Sequence, residues 1–358
     1  MHYRFHHLAI PHTVTDHDYV ACAYTQKVLK FADMMTSRGH TVIHYGHERS
    51  NVKCTEHVTV TDDGVLRQAY GDHDWSRHEF THNVTDYANQ EFIRRCVPEL
   101  QARVQKHDFV LANWGNGHQA ICDSVPDAIV CEPGVGYSSG HFAQWRAYES
   151  HAVRNLVEGS ANPQNWYSRV IPNYFDQRDF DYIEQKQDYV LFLGRVSELK
   201  GISTCIHATA AAGVPLVIAG QGRISDVGWT STPSHVTELG YADRAMRRQL
   251  LAHARALIIA TNYLEPFGGV VVEALLSGTP IITPNFGAFA EIQLAGRTGY
   301  LCNTLRDFVQ AIRNAHLINP ADCRARGLDY TFDNVAPQFE SWFADLKEIY
   351  TGNGWMSL

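Results

Sequence analysis

The sequence lacks several features that would place it in a special class of protein. No apolar run reaches the roughly 18–20 residues that a membrane-spanning helix needs, so we expect no transmembrane segment. The eight cysteines form no Cys-x-x-Cys pair, and the N-terminus has no apolar signal-peptide core, which together indicate a cytoplasmic protein. The 30 lysines and arginines are outnumbered by 38 aspartates and glutamates, which argues weakly against a protein that coats nucleic acid without excluding a local basic groove.

The order of apolar and amphipathic segments indicates an α/β protein with parallel sheets. A strand is predicted over 6–10, a helix over 23–38 and a second strand over 41–45. A further strand is predicted over 189–193, after a polar stretch that is typical of a linker. The chain therefore contains two separate starts of a strand–helix–strand unit.

A length of 358 residues suits two domains better than one. We predict two Rossmann-like domains that face each other across a cleft, residues 1–170 and residues 171–335. Residues 336–358 are predicted to include a helix that crosses back to the first domain. A ligand is expected between the two domains, where the carboxyl ends of parallel strands meet.

A turn that contains two glutamates is the strongest functional signal. Glu265 and Glu273 flank a predicted strand-to-helix turn, and Glu273 is predicted to lie in the first turn of the helix. Phe267, Gly268 and Gly269 supply amides at the start of that helix. Because such amides attract anions and carboxylates bind hydroxyl groups, the turn favours a nucleotide-sugar as ligand.

Two cations are predicted to face the same cleft. Arg195 directly follows the strand over 189–193, and Lys200 lies in the loop after it. Gly194 and Gly201 flank them and permit close backbone approach. Since an arginine can bind a phosphate through two hydrogen bonds, the pair predicts a clamp for a diphosphate.

These motifs have the order and spacing of a known family. The chain resembles the family-4 retaining glycosyltransferases of the GT-B fold, strongly over roughly residues 165–320 and only in architecture over residues 1–165. The motif residues that carry the resemblance are Gly194, Arg195, Lys200, Gly201, Gly220, Gly222, Gly240, Tyr241, Glu265, Glu273, Gly287, Glu291 and Gly299. The resemblance implies an enzyme that moves a sugar from a nucleoside-diphosphate sugar to an acceptor hydroxyl with retained anomeric configuration.

The resemblance also implies roles for single residues. Arg195 and Lys200 would hold the diphosphate. Glu265 would bind hydroxyls of the transferred sugar, and Glu273 would bind the ribose hydroxyls. No protein nucleophile is implied, since the departing diphosphate itself accepts the acceptor's proton. The remaining donor-binding residues that it implies are Gly194, Gly220, Gly240, Tyr241, Phe267, Gly268 and Gly269.

The first half departs from the family pattern. Family members commonly carry a histidine after the strand that corresponds to residues 129–131, but Glu132 stands here. Glu132 is a candidate replacement, and His118 and His141 are alternatives from neighbouring loops. The family's Gly-Gly after the first strand is also absent, which puts a local phosphate contact in doubt.

Cofactor and acceptor are harder to infer. Three Asp-x-Asp matches, at 16–18, 72–74 and 179–181, are what chance supplies for so short a pattern, so no metal is expected to be required. A glycan or small glycoside is the favoured acceptor, with a modified base in DNA as the alternative. An epimerase and a non-catalytic binding protein are the rival functions. The sugar, the base and the oligomeric state are not readable from the sequence.

Overall fold

Two parallel β-sheets organise the chain in the computed structural model, which describes residues 1–72, 74, 83–161 and 165–351. The first sheet has seven strands within the described residues, in the order β3-β2-β1-β4-β5-β6-β7. Its strands are β1 (Arg4–Leu8), β2 (Thr41–His47), β3 (Glu56–Thr61), β4 (Phe109–Leu111), β5 (Ile129–Val135), β6 (Trp145–Tyr148) and β7 (Arg169–Val170). The strand order reverses between β1 and β4, which opens a crevice at their carboxyl ends.

The second sheet has six strands in the described part of the chain, in the order β10-β9-β8-β11-β12-β13. They are β8 (Val190–Leu193), β9 (Leu216–Ala219), β10 (Val236–Gly240), β11 (Ala256–Ile258), β12 (Ile281–Pro284) and β13 (Gly299–Cys302). Here the order reverses between β8 and β11. Each sheet therefore has its own switch point at which a ligand can bind.

Helices cover both sheets. They are α1 (Ala23–Ser37), α2 (Asp63–Tyr70), α3 (Tyr87–Gln101), α4 (Gln119–Asp123), α5 (His151–Gly159), α6 (Ile202–Ala212), α7 (Arg244–His253), α8 (Gly269–Leu276), α9 (Phe289–Ile292), α10 (Leu305–Asn314), α11 (Pro320–Leu328) and α12 (Phe332–Thr351). We call the first sheet with α1–α5 the N-terminal lobe and the second sheet with α6–α11 the C-terminal lobe.

The last helix, α12, follows the C-terminal lobe in sequence but packs on the first sheet. Phe339, Trp342 and Phe343 are buried there, and the ring centroid of Phe343 lies 4.8 Å from that of Phe5 on β1. Aromatic side chains bury large areas, so this contact ties the end of the chain firmly to the N-terminal lobe. Residues 352–358, the end of the segment predicted to cross back, lie outside the described residues.

Most predicted elements are present with shifted ends. The strand predicted over 6–10 is β1, which ends at Leu8, and the helix predicted over 23–38 is α1, which ends at Ser37. Arg146 and Arg154 lie on different elements. Arg146 lies on β6, and a new helix, α5, begins after Ser150, whose side chain accepts a hydrogen bond from the amide of Val153. Within the described residues, no helix combines the length and apolarity needed to cross a bilayer.

Several histidines are buried in the N-terminal lobe. His7, His44 and His118 are fully buried on or near the first sheet. Burial lowers the pKa of His7 and of His118 to about 3, and it lowers the pKa of His44 well below its usual value. These rings are therefore neutral in the folded protein at any pH near neutrality.

We predict that the free energy of unfolding falls as the pH drops below about 6.5. The unfolded chain protonates these histidines near pH 6.5, whereas the folded protein resists protonation until much lower pH. Each such histidine makes the free energy of unfolding fall by up to about 1.4 kcal/mol per pH unit in that window. Urea unfolding between pH 7.5 and pH 5 measures the effect.

The variant His7→Phe is the matched control, because it keeps a ring beside Phe31 but removes one titrating group. Its unfolding free energy should depend less steeply on pH than that of the unaltered protein. Equal stability of the unaltered protein at pH 7.5 and pH 5 would contradict the prediction.

Candidate functional site

A cleft between the two lobes has a volume of about 890 Å³. Segments that follow β1, β8, β9 and β11 line it, as expected for a site at the carboxyl ends of parallel strands. Of the described side chains that line it, eight are basic and six are acidic, although the whole chain has a net charge of −8. They are Lys27, Lys30, Arg178, Arg195, Lys200, Arg244, Arg247 and Arg248 against Asp33, Glu149, Asp176, Asp179, Glu265 and Glu273. The cleft is therefore suited to an anionic ligand.

The structure brings Lys200 and Glu265 together at the centre of the cleft. The Nζ atom of Lys200 lies 2.8 Å from Oε2 of Glu265, and Oη of Tyr263 donates a hydrogen bond of 2.7 Å to the same oxygen. The ammonium of Lys200 also donates to the Tyr263 hydroxyl. Burial and the charge of Glu265 raise the pKa of Tyr263, so the phenol keeps its proton and can donate it. These contacts fix the Glu265 carboxylate and leave its other oxygen available for a ligand.

Arg195 also lines the cleft, beside Gly194 and Gly220. The positive charge of Arg195 opposes the rise in the pKa of the Tyr263 hydroxyl, so the two groups interact electrostatically. Gly220 has φ +144°, and a Cβ at this position would lie 1.9 Å from the carbonyl oxygen of Gly194. Only glycine fits at that point, so the two strand ends approach each other beneath the arginine.

The helix α8 points its N-terminus into the cleft. Gly268 precedes it in the left-handed conformation, with φ +76°, and no described side chain caps it. Phe267, Gly268 and Gly269 all line the cleft. Because the first amides of a helix have no partner within the helix, this end of α8 is available for an anion.

Glu273 lines the cleft but lies deeper in the helix than predicted. Since α8 begins at Gly269, Glu273 is in its second turn rather than its first. An Nη atom of Arg247 lies 2.6 Å from Oε2 of Glu273, and both side chains are 19% exposed. Arg247 therefore orients the carboxylate toward the cleft, a contact that the sequence motif does not reveal.

The predicted base-binding backbone lies at the edge of the cleft. Gly240 ends β10 with φ +74°, and its carbonyl oxygen accepts a hydrogen bond of 2.7 Å from the amide of Gly220. Tyr241 lines the cleft, whereas Gly240 does not. The hydroxyl of Tyr241 donates to the carbonyl oxygen of Asp18, at 3.2 Å, so this segment also joins the two lobes.

Glu132, predicted to replace the family's histidine, is not brought to the cleft. Its carboxylate is 1% exposed and accepts hydrogen bonds from the Tyr137 hydroxyl and from the amides of Phe142 and Ala143, at 2.6, 3.1 and 3.0 Å. Burial raises its pKa, which those hydrogen bonds oppose. Because β5 runs on to Val135, Glu132 lies inside the strand rather than at its end. Its carboxylate therefore organises the loop after β5.

The two alternative histidines do not line the cleft either. His118 is fully buried, accepts a hydrogen bond from the amide of Asn113 and donates to the carbonyl oxygen of Ala9, 3.0 Å away. Its ring stacks on Phe92. His141 is half-buried in the loop that Glu132 organises, and burial lowers its pKa. In this structure His118 is therefore a core residue.

The N-terminal lobe contributes other charged groups that the sequence analysis missed. Lys27 and Lys30 on α1 and Glu149 after β6 all line the cleft. The Nζ atom of Lys30 donates to the side-chain carbonyl of Asn173, at 3.0 Å, and lies 3.9 Å from the ring centroid of Phe175. Burial lowers its pKa to about 8. A half-buried amine that faces a cleft and forms no ion pair with a carboxylate of the described residues favours a bound anion.

Polar contacts also join the lobes at the rim of the cleft. The carboxylate of Glu291, at α9, accepts hydrogen bonds of 2.8 and 2.7 Å from the amides of His151 and Ala152 at the start of α5. A carboxylate at a helix N-terminus is favoured by the helix dipole. Leu264 packs against a small apolar cluster of the N-terminal lobe that includes Val135 and Tyr148. These contacts set the distance between the two walls.

Carboxylates of the Asp-x-Asp patterns are engaged with protein groups. Asp179 pairs with Arg244 and Asp181 pairs with Arg248, while Asp16 accepts from the amides of Asp18 and Tyr19. In the pattern at 72–74, residue 73 lies outside the described residues. These carboxylates bind neighbouring protein groups and do not converge on one point.

A separate group of possible metal ligands lies outside the cleft. His47, Glu48 and Asp63 place ligand atoms within 4.8 Å of one another. Arg49 already pairs with Asp63 at 2.7 Å, and its amide donates to Nδ1 of His47. That hydrogen bond places the proton of the neutral ring on Nε2, which faces Asp63. Asp63 is therefore already paired with an arginine, whereas Nε2 of His47 lies 3.4 Å from Asp63 and has no hydrogen-bond partner among the described residues.

Comparison with protein families identifies the second half of the chain. Residues 175–321 match the family described as glycosyl transferases group 1. The matched segment contains every cleft residue of the C-terminal lobe that the sequence motifs predicted. It covers less than half of the chain, and it contains no strand or helix of the N-terminal lobe.

Curated relatives match over a similar length. A glycogen synthase of Mycobacterium tuberculosis is 31% identical over 149 residues, which are 38% of this chain and 36% of that protein. A D-inositol 3-phosphate glycosyltransferase of Mycolicibacterium smegmatis is 34% identical over 125 residues, 32% of this chain and 29% of that protein. The matches thus span about a third of the length of these relatives.

Solved structures match nearly the whole chain and show its fold. AviGT4, a glycosyltransferase involved in avilamycin A biosynthesis, superimposes with a TM-score of 0.71 at 20% identity, over 96% of this chain and 98% of that one. Anabaena HepE, in complex with UDP and glucose, gives a TM-score of 0.69 at 15% identity, over 96% and 100% of the two chains. The two-sheet architecture is therefore the GT-B fold that the sequence predicted.

We predict that Glu132→Ala lowers the free energy of unfolding by about 3 kcal/mol, since it leaves a hydroxyl and two amides without their buried acceptor. Urea unfolding checks this, with Glu99→Ala as the control, because Glu99 is an exposed partner of Arg103 and should cost less than about 1 kcal/mol. Unchanged stability of Glu132→Ala would overturn the structural role.

Proposed function

We propose that this chain, whose residues 175–321 match the glycosyl transferases group 1 family, transfers a sugar from a nucleoside-diphosphate sugar to an acceptor hydroxyl with retained anomeric configuration. One observation carries the proposal. Arg195, Lys200 and the open N-terminus of α8 converge on a single cleft between two parallel sheets. That arrangement supplies the positive charge that a diphosphate leaving group needs.

The proposed chemistry follows from the positions of these groups. The bond between the sugar's anomeric carbon and the diphosphate oxygen breaks, and a bond to the acceptor oxygen forms on the same face. The acceptor's proton passes to the departing diphosphate. Lys200 and Arg195 stabilise the negative charge that develops there, while Glu265 holds the sugar hydroxyls and keeps the anomeric carbon in place. Glu273, oriented by Arg247, binds the ribose.

The proposal includes no metal, because the cations and the helix N-terminus that line the cleft can supply the positive charge that a metal would supply. A neutral glycan or small glycoside remains the favoured acceptor. The arginines Arg94, Arg95 and Arg103, on or next to α3, are paired with Glu91, Asp62, Glu56 and Glu99 and so offer little unpaired positive charge to a nucleic acid. No specific observation favours a nucleic-acid acceptor.

We predict that one nucleoside diphosphate binds the protein and that its sugar conjugate is slowly hydrolysed. Calorimetry with UDP and GDP measures binding, and incubation with UDP-glucose, UDP-N-acetylglucosamine and GDP-mannose measures hydrolysis. Retention predicts that an α-linked donor first releases the α-anomer, which proton NMR detects before mutarotation. No binding and an inert panel would refute the function, whereas an initial β-anomer would refute retention alone.

We predict that Lys200→Ala lowers turnover by about 10²–10³-fold, the size of effect expected when one electrostatic stabiliser of the leaving group is lost. The side chain is 29% exposed, so the fold should tolerate the change. Lys347→Ala, which removes a lysine that donates to the carbonyl oxygen of His107 outside the cleft, is the control and should keep full turnover. Equal turnover of Lys200→Ala and the unaltered protein would refute the clamp.

A further inference from the structure

A buried ion pair in the N-terminal wall of the cleft has no role in the mechanism so far. The strand β6 ends at Tyr148, so Glu149 stands at its carboxyl end, next to the cleft. Lys27 reaches it from the second turn of α1, with 3.2 Å between Nζ and Oε1. The two side chains are 7% and 8% exposed. Charges buried to this extent are costly unless their hydrogen bonds are satisfied.

The lysine of the pair is fully engaged by the protein. Its Nζ atom donates to the carbonyl oxygen of Gly134, at 2.8 Å, and lies 3.8 Å from the ring centroid of Tyr24. With Oε1 of Glu149, these contacts use the three donors of an ammonium group. Lys27 therefore holds Glu149 in place and is not itself open to a ligand.

The second carboxylate oxygen of Glu149 is in a different position. A Cβ atom placed on Gly136 would lie 2.4 Å from Oε2 of Glu149, 3.2 Å from the Tyr24 hydroxyl and 3.3 Å from Cβ of Pro266. Pro266 belongs to the C-terminal lobe and directly follows Glu265. Oε2 and Pro266 therefore both lie next to Gly136, so this oxygen is close to the boundary between the two lobes. No described residue donates a hydrogen bond to it.

The chemistry of this oxygen limits what can bind there. A carboxylate accepts hydrogen bonds and repels phosphate, so the diphosphate does not occupy this position. The charge of Lys27 balances that of Glu149, which removes the electrostatic reason for an amine to bind. A neutral hydroxyl group is the ligand that satisfies the oxygen.

We propose that Glu149, held by Lys27, is a positioning residue that binds an acceptor hydroxyl adjacent to the one that reacts. The inference depends on the proposed function and deepens it. Because the reacting hydroxyl gives its proton to the diphosphate, the hydrogen bond to Oε2 comes from a second, neighbouring hydroxyl. The acceptor is therefore a neutral molecule with adjacent hydroxyls, such as a sugar or a polyol.

Two small probes test this chemistry without knowledge of the natural acceptor. Ethylene glycol has two adjacent hydroxyls, and 2-methoxyethanol has the same chain with one of them blocked. With the donor that the protein hydrolyses, each probe is added at equal concentration, and the ratio of new glycoside to free sugar is measured. The unaltered protein should favour ethylene glycol by about tenfold or more, as expected for a hydrogen bond to a charged group.

In Glu149→Gln this preference should disappear, while the donor KM and the rate of donor hydrolysis stay within about threefold. Lys27 retains the amide oxygen, so the amide NH₂ replaces Oε2 and turns an acceptor into a donor. Glu158→Gln is the matched control, since Glu158 is a buried carboxylate paired with Arg146 and does not line the cleft. It should keep the preference.

Gly136→Ala provides a second variant in case Glu149→Gln does not fold. Its methyl group would lie 2.4 Å from Oε2, too close for a real contact, and would therefore displace the Glu149 carboxylate from its position. It should also abolish the preference for ethylene glycol and preserve donor hydrolysis.

Three results would overturn the inference. The unaltered protein could show no preference for ethylene glycol, which includes hydrolysis of the donor without transfer to either probe. The preference could survive in both variants, or the folded variants could lose hydrolysis and transfer in parallel. If the unaltered protein neither binds a nucleoside diphosphate nor hydrolyses any donor, the proposed function itself fails.

Discussion

The cleft depends on ion pairs that each lie within one of its two walls. Lys200 pairs with Glu265 and Arg247 pairs with Glu273, both within the C-terminal lobe. Lys27 pairs with Glu149 within the N-terminal lobe. Because these pairs do not bridge the gap, it stays open to a ligand. The basic side chains that exceed the acidic ones in this cleft are balanced only when an anion binds.

Burial explains why these pairs can serve as fixed binding groups. A charged side chain in water must reorganise its solvent when a ligand binds, whereas one held by neighbouring groups is already in position. Glu265 is held by both Lys200 and Tyr263, and Glu149 is held by a lysine whose other donors are occupied. Each glutamate therefore presents one oxygen to the protein and keeps the other for a ligand.

The C-terminal half of the site was predictable from sequence because its parts are local. Arg195 follows β8 and Glu265 follows β11 at a short distance along the sequence. Strand periodicity and neighbouring glycines therefore suffice to locate both residues. The N-terminal half is assembled from α1 and the end of β6, which are more than 100 residues apart. Lys27 lies on a helix whose apolar spacing indicates only which face packs on the sheet. Glu132 was misplaced because the strand that contains it continues three residues further, a boundary that local patterns do not determine.

The position of Tyr24 supports a division of tasks between the two glutamates. Burial raises the pKa of its hydroxyl, and the charges of Glu149 and Glu265 raise it further, so the phenol keeps its proton in the field of both carboxylates. A phenol that stays neutral adds no further negative charge to a region that already holds two anions. One carboxylate can then hold the donor sugar while the other holds the acceptor. The proposed retention needs the acceptor and the leaving group on one face of the sugar, and in the proposed roles Glu265 and Glu149 would anchor the two partners from opposite lobes.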